Sequence, residues 1–141
     1  QLALGTYKIF NLNRNNSIYL KVVAQGIVSD NYFENELFRF GGINSIRGFE
    51  EQSLSASTYG VINSEYRYRL SPTLYIHSII DGAYLENEIS TKKEKLLGFG
   101  FGFGLLSQSG LIKFNYANGK SENQSFKFSN SKVHISFIAN F

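Results

Sequence analysis

Two carboxylates in the second half of the chain are placed to bind a single cation. Glu65 and Asp81 lie on either side of Ser71-Pro72, where a hairpin turn is expected, and both fall on the polar face of their segments. With that turn the two acids sit near-diagonally on neighbouring strands, roughly 7–8 Å apart. One planar guanidinium can bridge two carboxylates at this spacing. The chemistry predicted here is therefore ion pairing inside a fold.

Catalysis and metal binding are not predicted. His77 and Asp81 share a face, but the strand residues between them imply a separation of about 13 Å, too far for a catalytic hydrogen bond. The chain has two histidines and no cysteine, so no metal site is expected. The alternating glycines of 98–104 lack the Gly-Lys-Ser/Thr of a phosphate loop, and they are expected to form a small-residue inner face where an incoming loop passes. No cofactor and no enzymatic activity are predicted.

The elements that must position the two acids are β-strands. Phe and Tyr make up the 16% aromatic residues, the chain has 13 glycines, and most segments alternate apolar and polar residues with a period of two. The predicted strands are residues 4–12, 17–28, 56–70, 73–85, 95–106, 110–118 and 131–141. The fold class is therefore all-β, with about seven strands.

The chemistry of the two strand faces favours a membrane barrel over a soluble sandwich, which also alternates. One face carries charged and imidazole groups on five strands, whereas the other is aliphatic and aromatic. The polar-face residues are Lys21, Glu65, Arg67, Arg69, His77, Asp81, Lys113 and His134. This pattern is typical of a transmembrane antiparallel β-barrel, with lipid outside and a hydrated interior.

Connector lengths give independent support for that barrel. They alternate between short connectors (13–16, 71–72 and 108–109) and long ones (about 29–55, 86–94 and 119–130). Bacterial outer-membrane barrels have short periplasmic turns and longer extracellular loops. We therefore expect location in the bacterial outer membrane, with outer-membrane lipids as partners.

Seven strands are not expected to be the whole barrel. Single-chain bacterial barrels have even strand numbers, and an open sheet would leave unpaired edges in lipid. The chain also begins Gln1-Leu2-Ala3, without a signal peptide. Residues 1–141 are thus expected to be the C-terminal part of a barrel domain whose remaining strands lie upstream or come from another copy.

The long connector contains the most specific motif. It has Phe40-Gly41-Gly42 and then Ser45-Ile46-Arg47-Gly48-Phe49, and Glu65-Tyr66-Arg67 follows on the next strand. This combination resembles the bacterial surface antigen family of outer-membrane assembly and translocation proteins, the BamA/TamA type. The resemblance covers nearly the whole chain and implies strands ten to sixteen of a sixteen-stranded barrel.

The resemblance implies a defined site. In that family the loop folds back into the barrel, and its motif arginine, here Arg47, pairs with acids on the inner wall, here Glu65 and Asp81. The glycines Gly41, Gly42 and Gly48 would allow the sharp bends of the loop, and Ile46 and Phe49 complete the motif. The alternative is an ordinary surface loop with Arg47 in solvent and the acids paired to Arg67 and Arg69.

The last strand carries a second implied signal. Phe137 and Phe141 resemble the C-terminal strand signal that outer-membrane proteins present to the assembly machinery, although an amphipathic final strand would look the same. In lipid both interpretations hold together.

Three functions remain open at this point. The first is assembly or translocation, for which the resemblance implies client β-barrel or secreted proteins and periplasmic POTRA domains as partners. The second is a membrane anchor for an upstream enzyme such as a patatin-like lipase, and the third is a passive pore. Nucleic acid is not expected as a partner, because the 14 Lys and Arg residues are scattered and the net charge is only +3.

Overall fold

A computed structural model describes residues 1–122 and 125–139, and most of these residues form one antiparallel sheet. The strands are β1 (Leu2–Asn11), β2 (Asn16–Gly26), β3 (Phe38–Phe40), β4 (Leu54–Ala56), β5 (Thr58–Ser71), β6 (Leu74–Asn87), β7 (Lys92–Ser107), β8 (Gly110–Lys120) and β9 (Lys132–Ala139). The main sheet has the order β1-β2-β5-β6-β7-β8-β9, and β3 pairs separately with β4. Two 3-10 turns, Glu34–Glu36 and Phe128–Asn130, lie in connectors.

No α-helix is present in the part of the chain that the structure describes. None of its helical segments is long and apolar enough to cross a membrane.

The seven predicted strands are confirmed within the described residues, and positions 140 and 141 of the last one lie outside them. Two connectors are corrected: the turn predicted at Ser71-Pro72 lies at 72–73, because Ser71 still belongs to β5. The connector predicted as long at 86–94 is wrong, because β6 and β7 pair up to Asn87 and Lys92 and leave only a turn at 88–91. Charged residues on both faces of this hairpin end hid the alternation. The long connector predicted at about 29–55 runs from 27 to 57 and contains the β3–β4 hairpin, which the sequence did not predict.

The two faces of the sheet differ as the alternation predicted. Large apolar side chains such as Ile80 and Ile135 stand exposed on the outer face, 64% and 71% accessible. The inner face buries His77, Asp81 and Asn115, each at most 3% exposed. The period of two along each strand therefore separates an apolar outer surface from a polar inner wall.

The hydrophobic core lies beneath the long connector, on the inner wall of the sheet. Four residues of the connector pack on four inward residues of β5, β6 and β7. The cluster is Phe40, Ile46, Phe49 and Ala56 with Tyr59, Val61, Leu85 and Leu96. The rings of Phe40 and Tyr59 stack with centroids 4.2 Å apart. Residues 27–57 thus form an inward loop, a term used below for this segment.

Candidate functional site

The inward loop places Arg47 between the two predicted acids. The Arg47 side chain donates from Nε to Asp81 Oδ2 at 2.8 Å, from Nη2 to Asp81 Oδ1 at 2.6 Å, and from Nη1 to Glu65 Oε1. The backbone N–H of Arg47 also donates to Asp81 Oδ2 at 3.0 Å. Arg47 is only 3% exposed. The alternative of a solvated Arg47 is therefore wrong.

Strand register explains how one guanidinium reaches both carboxylates. Asn63 is opposite Asp81 and Arg67 is opposite His77, so Glu65 lies on the diagonal from Asp81 on the same face. Glu65 is also seven residues from Thr58, the first residue of β5. At about 3.3 Å per residue, Glu65 is roughly 23 Å along β5 from the long-loop end of the sheet, and Arg47 reaches that depth by pairing with it.

Several cations converge on Glu65. Besides Arg47, Arg67 Nε lies 2.8 Å from Glu65 Oε2 and Lys113 Nζ lies 3.7 Å from Oε1. His77 Nδ1 is 3.9 Å from Oε2. Because the two carboxylates face two arginines and a lysine, the loss of either acid would leave buried positive charge uncompensated. The surface-loop alternative also predicted that Arg67 pairs with an acid. That part is correct, since Glu65 binds Arg67 as well as Arg47.

Arg47 remains charged in this setting. Burial by itself lowers the pKa of Arg47, but the hydrogen bonds to Asp81 and the charges of Asp81 and Glu65 outweigh burial. The pKa of the guanidinium is therefore raised above its ordinary value, and the ion pair does not depend on titration of the arginine.

Glycines give the inward loop its bends and its close approach to the wall. Gly41, Gly42 and Gly48 have φ values of 117°, 95° and 93°, a region that L side chains rarely adopt. At Gly48 the loop also runs against the backbone of Asn118 and Gly119 on β8, where a Cβ would have no room. These positions therefore require glycine for both conformation and space.

Further polar contacts tie the loop to strands far apart in the sheet. The loop-to-wall contacts are Lys21 Nζ to Asn44 O at 3.1 Å, Asn63 Nδ2 to Ser45 O at 2.6 Å, Gly48 N to His134 Nε2 at 3.3 Å and Lys132 Nζ to Glu50 Oε1 at 3.2 Å. They reach from β2 to β9. The polar face predicted from alternation already included Lys21 and His134, but no sequence signal identified their partners.

Apolar side chains of the inward loop also anchor it to the wall, in addition to the ion pairs of Arg47. Ile46 is completely buried and Phe49 is 6% exposed, both in the core cluster. Gly98 on β7 makes room for the loop backbone, since a Cβ there would overlap the carbonyl oxygen of Arg47. The small-residue face predicted for 98–104 thus contacts the loop at Gly98. Gly102 and Gly104 lie instead beneath His77 and Tyr75 of β6.

A family-model match gives evidence that is independent of this geometry. The model of the Omp85 superfamily domain matches residues 4–133, nearly the whole chain. The chain belongs to the Omp85 superfamily. This superfamily comprises β-barrel proteins of the bacterial outer membrane that act in protein assembly and translocation. A search of curated proteins finds no significant match to the chain.

The predicted C-terminal signal of this Omp85 chain lies only partly within the described residues. Phe137 lies on β9 opposite Ile112 and is exposed on the outer face. Phe141 lies outside the described residues. Arg69, which the surface-loop alternative paired with an acid, has no acidic partner among the residues that the structure describes. Within those residues no group of three or more His, Cys, Asp or Glu side chains is arranged to hold a metal ion.

Shortening Ile46 tests the apolar anchor of the inward loop. Ile46→Val removes one buried methylene, and we expect a loss of about 0.5–1.5 kcal/mol in the free energy that holds the loop on the wall. Hydrogen exchange of the loop amides in the full-length protein should then be faster by up to roughly tenfold. Ile89→Val, at a 40% exposed position in the 88–91 turn, is the matched control. Equal exchange in both variants would contradict the anchor.

Proposed function

We propose that this chain is the C-terminal portion of a sixteen-stranded barrel of the BamA/TamA type, which inserts other outer-membrane proteins or translocates protein partners. The observation that carries the proposal is the inward loop itself. In a chain from a superfamily of assembly and translocation barrels, Arg47-Gly48-Phe49 lies on the inner wall with Arg47 between Glu65 and Asp81. These are the residues on which the BamA/TamA resemblance rests.

The edges of the sheet support a larger barrel in the outer membrane. Within the described residues β1 pairs only with β2, and β9 pairs only with β8. Unpaired backbone groups cost several kcal/mol each in hydrocarbon, so spanning sheets close on themselves. We infer that further strands complete the barrel, that lipid contacts its apolar outer face, and that the short turns at 12–15, 72–73 and 108–109 face the periplasm.

The inward loop is suited to act as a latch on the barrel wall. Its contacts with Lys21 on β2, Asp81 on β6 and His134 on β9 hold strands together that are not neighbours. The structure has the loop packed on the wall, and we infer a second, released arrangement, so that a client or partner can bias the equilibrium between the two. A passive pore has no need for a buried ion pair in its lumen.

Reconstitution tests the assembly function. Liposomes that contain the full-length protein are expected to accelerate folding of a urea-unfolded β-barrel client several-fold over liposomes with an unrelated barrel of similar size. Depletion of the protein in cells should lower the amounts of several outer-membrane proteins together if it assembles them. Loss of one secreted protein alone would point to the translocation branch of the proposal.

Two outcomes would contradict the proposal. If neither client folding nor any outer-membrane or secreted protein responded to the full-length protein, an assembly or translocation role would be excluded. Steady ion conductance with the inward loop still protected from protease would favour a pore instead.

A further inference from the structure

The acidic residues are confined to the long-loop end and the middle of this sheet, whereas basic residues occur along its whole length. The chain has 11 Asp and Glu residues, all of which fall within 30–65, 81–94 and position 122. The end that carries the short turns therefore has no acidic residue at all. It does have three arginines: Arg14 lies in the 12–15 turn, and Arg67 and Arg69 lie near the C-terminal end of β5. Arg67 pairs with Glu65 in the middle of the sheet, whereas Arg14 and Arg69 have no acidic partner among the described residues.

The arginines line one cleft at that end. Arg14, Arg67, Arg69 and Tyr75, with Asn13 and Asn15, surround a space of about 230 Å³, called here the turn-end cleft. The backbone N–H of Arg69 donates to the carbonyl of Asn15 at 2.7 Å, which fixes the 12–15 turn against the end of β5. Two separate segments of the chain thus build the cleft.

Two of the three guanidinium groups are available to a ligand. Arg67 is already held, because it pairs with Glu65 and its guanidinium lies over the rings of Tyr19 and Tyr75 at 4.5 and 5.2 Å from their centroids. The side chains of Arg14 and Arg69 are exposed and make no ion pair or hydrogen bond with any described residue. The cleft therefore combines one fixed cation with two that lack counter-charges.

The cleft opens toward the inside of the barrel. Arg67 is opposite His77 and Arg69 is opposite Tyr75, all on the inner wall, whereas Leu70 and its outward neighbours face the other side. Lipid headgroups at the outer surface are separated from the cleft by the sheet itself. The ligand must come from the aqueous compartment at the short-turn end.

We propose that the turn-end cleft binds an acidic segment of a polypeptide, with side-chain carboxylates on Arg14 and Arg69. Guanidinium groups bind carboxylates with two parallel hydrogen bonds. The side-chain amide of Asn15 supplies a donor and an acceptor for a peptide backbone, and Asn13 supplies its Nδ2 donor, since its Oδ1 accepts hydrogen bonds from Asn15 and Asn16 within the turn. Which aqueous compartment supplies this segment rests on the proposed function. With the short turns in the periplasm, the acidic segment belongs to a periplasmic protein or domain.

Peptide binding to the full-length protein in detergent tests this site. The probes are a fluorescent hexapeptide of alternating Asp and Glu and the same peptide with Asn and Gln, compared by fluorescence anisotropy at low salt. We expect the acidic peptide to bind at least about tenfold more tightly, and Arg14→Gln with Arg69→Gln to remove that difference. Lys95→Gln with Lys120→Gln, which removes two exposed charges near the opposite end, is the matched control.

Three results would overturn the site. They are equal affinity for both peptides, an unchanged affinity in the Arg14/Arg69 double variant, and displacement of the acidic peptide by inorganic phosphate at equal concentration, which would indicate a general anion site. Orientation is measured separately, by labelling a cysteine placed at the exposed Ser109 in intact cells. Labelling from outside would contradict the proposed membrane orientation while leaving the peptide result in detergent unaffected.

Discussion

Arg47→Ala is expected to release the inward loop from the barrel wall. The substitution removes the partner of Asp81, which is fully buried, and one of the cations around Glu65. Breaking a buried ion pair on one side costs about 3–5 kcal/mol, because a charge is left in a dry site without compensation. The apolar contacts of Ile46 and Phe49 remain, so the released state should become far more populated than in the wild type without the strands unfolding. Membrane insertion should suffer less than function, since the strands and their outer faces are unchanged.

Limited proteolysis of the full-length protein in detergent measures this release. Cleavage within 27–57 should be much faster in Arg47→Ala than in the wild type, while the strands stay resistant. Arg39→Ala is the matched control, because Arg39 is an exposed arginine of the same loop. Arg47→Lys should be intermediate, since an ammonium cannot bridge both carboxylates in a bidentate way. Equal cleavage of the wild type and Arg47→Ala would show that the ion pair does not hold the loop.

The geometry of the acids could be predicted because it depends on local rules. Alternation predicted the shared inner face of Glu65 and Asp81 on β5 and β6. Their diagonal register comes from the turn at 72–73 together with an irregularity between Arg69 and Ser71, which the sequence did not predict. Neither rule identifies the cation that joins them. Arg67 and Arg69 share the same wall, and only the resemblance of the loop motif indicated Arg47.

Other contacts could not be predicted because they depend on the path of the inward loop. Lys21 and His134 are far apart in sequence and on different strands, and a contact of each with the loop requires the three-dimensional course of residues 27–57. The short turn at 88–91 was missed for another reason. Near the loop end, Lys93 and Lys95 on the outer face alternate with Glu94 on the inner face, so both faces are charged and the strand resembles a polar connector.

The glycines of β7 lead to the second large effect. Gly98 is opposite Asp81 on β6 and Gly119 on β8, at the point where the loop backbone crosses the wall. A Cβ at Gly98 would overlap the carbonyl oxygen of Arg47, and the backbone of Arg47 cannot rotate away as a flexible side chain could. Its N–H and its guanidinium are both bound to Asp81. Gly98→Ala therefore has to displace the loop, without changing any charge at the site.

We expect Gly98→Ala to shift the loop toward the released state by about 1–3 kcal/mol, the usual cost of overpacking a filled site. Gly82→Ala is a close control, since Gly82 lies on the neighbouring strand opposite Leu97 and a Cβ there meets nothing within 4 Å. Proteolysis within 27–57 should accelerate in Gly98→Ala and stay at the wild-type rate in Gly82→Ala. Because both variants add one methyl group to a strand glycine, a general effect on the sheet would change both equally. Equal rates in the two variants would mean that contact at Gly98 does not hold the loop on the wall, even if Arg47→Ala releases it.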